Sequence, residues 1–244
     1  MESSAADVTG RILRHERALI VVSVGALAAL GWWYVALGAG MRGGMAAMRA
    51  PPLGALILMW WLMMAAMMLP SAAPAVLLYA RVRDIRGGDS AIAQSWVFLA
   101  GYLAVWLAFS ILAAGAQRVI AGPAMTLGNR WAEGALLIAA GVYELTPLKN
   151  ACLTRCRSPA EFISRHWRPG RSGAVRLGVL HGADCVGCCW MLMALLFVGG
   201  VMNVLWIVAL TLIVAIEKLL PRGEWFGRAA GVALIAWGVL RLFR

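Results

Sequence analysis

Residues 53–79 read LGALILMWWLMMAAMMLPSAAPAVLLY, without a single Asp, Glu, Lys or Arg. An α-helix needs roughly 20 mostly apolar residues to cross the hydrocarbon core of a bilayer. This stretch is longer than that and apolar on every side, whereas a membrane-barrel strand would alternate apolar and polar over about ten residues. It reads as a transmembrane helix. Working outward, comparable runs occupy 18–38, 91–116, 132–149, 174–199, 202–220 and 225–243. The expected fold is therefore all-α: a polytopic bundle of seven spans forming one integral membrane domain over 1–244. A cytoplasmic loop is expected at 150–173.

Each boundary carries a chemical mark. Pro51 and Pro52 precede the second span, and Gly87-Gly88-Asp89-Ser90 leads into the third with Asp89 or Ser90 as an N-cap. Pro221 and Gly223 separate the sixth span from the seventh. At Gly199-Gly200 two helices meet with almost no loop, and were 185–220 a single helix the count would fall to six.

Composition agrees with this reading. The 244 residues are 62% hydrophobic and 14% charged, against roughly half and a quarter in a soluble domain. The net charge of +11 is spread through the short connections rather than gathered on a face, so nucleic acid is not expected as a partner. The lipid bilayer is. Basic residues also orient the chain, because cytoplasmic loops of membrane proteins are enriched in Lys and Arg. With seven spans, sixteen of the basic residues fall on the side of Arg11, Arg81 and Lys218, and six on the side of Arg42, Arg118 and Arg241. That places the N-terminus in the cytoplasm. The first apolar run is longer than the core of a signal peptide and no A-x-A site follows it, so no cleavable leader is expected.

Chemistry-bearing residues gather in three places. Met59, Met63 and Met67 recur at i, i+4 and i+8, which sets them in one stripe on a helix, and Met64 and Met68 form a neighbouring stripe. Met41, Met45 and Met48 lie just upstream, on the outer side by the charge count. Thioether sulfur is soft and neutral and suits Cu(I) better than Zn²⁺ or Mg²⁺, although methionine also fills irregular space in any helical core. The second group is His181, Asp184, Cys185, Cys188 and Cys189. Spacing of i, i+4 and i+7 puts His181, Cys185 and Cys188 on one face, with Asp184 and Cys189 at its borders. An aspartate within a span is costly unless paired, and here it would orient His181 or move protons. The third group is dispersed: Glu144 inside the fourth span, Cys152 and Cys156 beyond it, and Glu217 at the end of the sixth, where it would snorkel to the interface or pair with Lys218. Arg155 and Arg157 beside the two cysteines would favour their thiolates.

An internal echo links Trp61–Ala65 (WLMMA) with Trp190–Ala194 (WMLMA), as repeated halves in transport proteins do. No P-loop, Rossmann glycine pattern, H-E-x-x-H or C-x-x-C-H occurs. The connection at 150–173 is too short for an ATPase domain.

Taken together, Trp60–Pro74 (WWLMMAAMMLPSAAP), Gly101-Tyr102 with Trp106, Gly141–Cys156 (GVYELTPLKNACLTRC), His181–Met193 (HGADCVGCCWMLM), Met202-Asn203 and Glu217-Lys218 resemble a family of bacterial inner-membrane proteins described as predicted metal-binding integral membrane proteins. The resemblance covers about 55–220 and implies metal handling. Glu144, Cys152, Cys156, Met41, Met45, Met48 and Met202 stand as secondary metal or relay groups, with Cys152 and Cys156 placed to pass a metal to or from a cytosolic carrier.

The leading functional expectation is Cu(I) handling, either transport or capture and delivery to a membrane cuproenzyme, with a copper chaperone as a possible partner and oligomers permitted. The methionines would receive the ion, and His181, Cys185, Cys188 and Cys189 would hold it, with Asp184 tuning the charge. Two other readings remain open: a thiol–disulfide or quinone-linked oxidoreductase using Cys185 with Cys188 or Cys189, and a structural or assembly subunit whose sulfur residues only pack.

Overall fold

The architecture comes from a computed structural model, which describes residues 18, 21–35, 37, 52–86, 91–120 and 126–243. It is all-helical. In chain order the helices are α1 (Val21–Val35), α2 (Leu53–Arg86), α3 (Ala91–Ile120), α4 (Arg130–Glu144), α5 (Pro147–Arg157), α6 (Pro159–His166), α7 (Gly170–Ala194), α8 (Leu196–Gly199), α9 (Val204–Leu219) and α10 (Gly223–Phe243). Among the described residues, four segments are long and apolar enough to cross a membrane: Leu53–Ile85, Ile92–Ile120, Gly170–Gly199 and Gly223–Phe243. Helices α1, α4 and α9 are apolar but shorter, at 15, 15 and 16 residues.

Helix ends follow local chemistry, with some departures from the expected boundaries. Helix α2 continues past 79 to Arg86 and includes Pro70 and Pro74 within its length. Instead of running to 149, the fourth helix stops at Glu144. There Thr146 accepts a hydrogen bond from the Lys149 backbone N–H and Pro147 occupies the first turn of a new helix, α5. The connection at 150–173 is therefore mostly helical, since α5 and α6 fill it. The stretch 185–220 is not one helix. It is interrupted between Ala194 and Val204, where Gly200 takes φ 93°, a conformation open mainly to glycine. Asn203 then caps α9 by accepting from the Trp206 N–H.

Two helix pairs make the most extensive contacts, α3 with α7 and α4 with α10. Both depend on glycine. A Cβ at Gly101 would stand 2.5 Å from the Val175 carbonyl oxygen, and one at Gly178 would run into the Phe98 carbonyl, so these backbones touch directly. Gly141 and Gly231 face one another's carbonyl oxygens in the same way. Such close approach between small residues is the usual means of packing helices in lipid, where burial from water contributes little between them. Helix α2 is tied to α3 by the Trp60 indole, which donates to Gln117 Oε1 at 2.6 Å, and by Trp61, which donates to the Leu103 carbonyl at 2.9 Å.

Candidate metal centre

The sulfur-bearing residues of α2 face inward. Met59, Met63, Met64, Met67 and Met68 are each at 3% exposure or less. Both stripes are therefore buried, and a 34-residue helix of uniformly apolar character accounts for this because it is packed on more than one side. Met41, Met45 and Met48 lie outside the described residues. Met202, half-buried, sits in the turn that precedes α9.

Helix α7 supplies the next shell of donors. His181, Asp184, Cys185, Cys188 and Cys189 are all buried. The thiols of Cys188 and Cys189 donate to the Cys185 carbonyl, at 3.1 and 2.9 Å, so the three sulfurs stand on adjacent ridges of one turn. Cys189 Sγ is 4.0 Å from Met68 Sδ, which joins the cysteine group to the inner end of the methionine stripe. Cys156, from α5, lies within hydrogen-bonding reach of both Cys185 and Cys188. Cys185 Sγ meets the Tyr102 hydroxyl at 3.1 Å and the Lys218 ammonium at 2.9 Å, and Lys218 Nζ is also 4.0 Å from Met68 Sδ. One cysteine sulfur, Cys185, and one thioether, Met68, thus meet a buried ammonium, with Cys188 and Cys189 beside Cys185 on α7. All five cysteines are free thiols.

Cys152 stays at the margin. Its sulfur is lodged against Gly187, where a Cβ would come within 2.8 Å of it, so the glycine makes room for the thiol between α5 and α7. The expectation that arginines would favour the thiolates does not hold. Burial pushes the Cys152 thiol up, the charge of Asp184 adds to this, and Arg155 opposes it only in part. Hydrogen bonds with Cys185 and Cys188 hold the Cys156 thiol well above the usual range, with burial adding to them. The guanidinium groups are engaged elsewhere. Arg155 pairs with Asp184 at 2.7 Å, and Arg157 donates to the Leu220 and Pro221 carbonyls.

Asp184 therefore serves Arg155 rather than His181. The imidazole stands among Phe98, Tyr102 and Phe162, with ring centroids 5.5–6.0 Å away, and its buried Nδ1 has no hydrogen-bond partner.

Glu217 and Lys218, for which a mutual pair is one expectation, diverge. Adjacent residues on a helix point about 100° apart and do not face each other. Lys218 turns to the sulfurs, while both oxygens of Glu217 accept from Lys149 Nζ at 2.8 Å. Lys149 also donates to Glu144 Oε2. This Glu144–Lys149–Glu217 triad joins α4, α5 and α9 in the interior, and Glu144 Oε1 has no partner. Gly227 of α10 leaves the space it fills, because a Cβ there would be 2.5 Å from Glu217 Oε1. Lys149, Lys218 and Tyr102 are not among the site residues that the sequence suggests. A lysine at the end of an apolar run looks like an interfacial anchor, and only the convergence of separate helices reveals another placement.

Among the described residues, no group of three or more His, Cys, Asp or Glu is disposed around a common centre. Methionine sulfur adds to these donors. Soft sulfur donors select Cu(I), and a monovalent d¹⁰ ion is satisfied by two or three of them. The arrangement supplies such donors in pairs, the buried Cys189 with Met68 and the half-buried Cys156 with Cys185 or Cys188. A family model described as a copper chaperone, PpoB2, matches residues 57–241. No curated protein and no solved structure matches the chain.

Proposed function

Because the chain belongs to the PpoB2 copper chaperone family, we propose that it binds Cu(I) within the membrane and hands it to a membrane cuproenzyme or a soluble carrier. The observation that carries the reading is the contact of Cys189 with Met68 beside Cys185 and Cys188 in the buried interior, with half-buried Cys156 at its edge. The methionines of α2 form a graded approach to it. Met59, Met63 and Met67 recur one turn apart toward Met68, about 1.5 Å of rise per residue, so an ion passes between neutral thioethers before it reaches thiols. Weak, pH-insensitive donors suit capture, and thiolates hold the ion more firmly. In this account the chain crosses a bacterial cytoplasmic membrane seven times, by α1, α2, α3, α4, α7 with α8, α9 and α10, with the N-terminus in the cytoplasm. The end carrying α5 and α6 then faces the cytosol, and Cys152 stands against α7 at Gly187, level with the buried sulfurs. His181 contributes as an auxiliary donor through Nδ1.

X-ray absorption at the copper edge tests the reading on protein loaded with one equivalent of Cu(I) without oxygen. The expected spectrum is dominated by sulfur neighbours, and Met68→Leu reduces their number. A first shell of nitrogen and oxygen, unchanged by cysteine substitution, would contradict it.

A further inference from the structure

The sulfur group touches a cation that the proposed function does not use. Lys218 Nζ lies 2.9 Å from Cys185 Sγ and 4.0 Å from Met68 Sδ, on a side chain at the buried end of α9. The neighbouring acids are engaged with other bases, Glu144 and Glu217 with Lys149 and Asp184 with Arg155. A buried ammonium is costly unless something compensates it, and here the polar atoms within reach are sulfurs.

We propose that Lys218 is a specificity-determining residue that fits the sulfur group to a monovalent soft ion and against divalent ones. This rests on the copper reading above. Two thiolates, one monovalent ion and one ammonium sum to zero, so Cu(I) enters the apolar interior as a neutral assembly. With the same partners a divalent ion leaves a net positive charge that no water screens. Neutrality would then need a third thiolate crowded beside the first two. The fixed ammonium also repels an ion in proportion to its charge, so a divalent ion meets twice the repulsion of Cu(I) at the same position. Lys218 acts on the ion through space, as a charge held beside Cys185, and donates no electrons to it. Arginine at 218 would keep that charge, and methionine would remove it while filling much of the same volume.

The test compares apparent affinities for Cu(I) and Cd²⁺ in the full-length protein, purified in mild detergent without oxygen, for wild type, Lys218→Met and Lys218→Arg. Cu(I) is titrated against a chromophoric chelator, and Cd²⁺ is followed by its thiolate charge-transfer absorption. Removing the charge should tighten Cd²⁺ relative to Cu(I) by about tenfold or more, and Lys218→Arg should keep the wild-type ratio. Lys218→Gln provides the same comparison if the methionine variant does not fold. A ratio that is the same in all folded variants overturns the selectivity role and leaves the copper reading standing. Wild-type protein that binds Cd²⁺ but no Cu(I) overturns both.

Discussion

Replacing Lys149 with methionine removes the only cation of the Glu144–Lys149–Glu217 triad and leaves two carboxylates in the interior. All three residues are at 2% exposure or less, so water cannot take over the role of the ammonium. Breaking a buried ion pair by deleting one partner costs about 3–5 kcal/mol. For a chain of 150–250 residues, each kcal/mol shifts Tm by about 2–4 °C, so the expected fall is about 6–20 °C. A thiol-reactive fluorogenic maleimide suits the measurement, because all five cysteines are buried or half-buried and become reactive as the bundle opens. The triple variant Glu144→Gln, Lys149→Met, Glu217→Gln should recover most of the loss, since replacing every charge together avoids the stranded carboxylates. A shift below about 3 °C for Lys149→Met would mean that the two carboxylates are not stranded by loss of the ammonium. Equal instability in the single and triple variants would assign the effect to packing instead of charge.

Gly178→Val drives a side chain into the Phe98 carbonyl across the α3–α7 contact. It should destabilise the protein by about 2 kcal/mol or more, with Gly178→Ala milder, by the same melting assay. A variant keeping Cys152 as its single cysteine should be alkylated along a pH profile displaced upward from the ordinary thiol midpoint near 8.5. The sign follows from burial: a raised pKa leaves less thiolate at any given pH, so labelling at pH 8 is slower than for a free peptide thiol. A midpoint at or below 8.5 would contradict this. Reporter fusions test the proposed topology. A phosphatase active only outside the cytoplasm should be silent when fused after Arg86 or Arg168 and active after Arg130 or Arg244. The reverse pattern would invert the orientation.

Much of the fold was legible in the sequence because lipid imposes a length and a composition on each helix. The run 53–79 identified α2, and Pro221 with Gly223 placed the α9–α10 junction. The interval 150–173 was less so. Thr146-Pro147 and Ser158-Pro159 are helix-start signals, but without apolar runs behind them they gave little reason to expect α5 and α6. Spacing also put His181, Cys185 and Cys188 on one face of α7, where they are found. What no spacing conveys is the partner a side chain meets across helices. Glu217 and Lys218 look like a pair because they are adjacent, and helical geometry sends one to Lys149 and the other to Cys185. Asp184 meets Arg155 from α5, a helix not anticipated, and Cys156 reaches the buried sulfurs for the same reason.

The central claim is that the sulfurs of α7 carry copper. Elemental analysis of protein purified in mild detergent under reducing, oxygen-free conditions tests it most directly, wild type beside a Cys185→Ser, Cys188→Ser, Cys189→Ser variant. The wild type should hold near-stoichiometric copper, and the folded variant should lose it. Equal copper in both, or none in either after growth with copper, would contradict it.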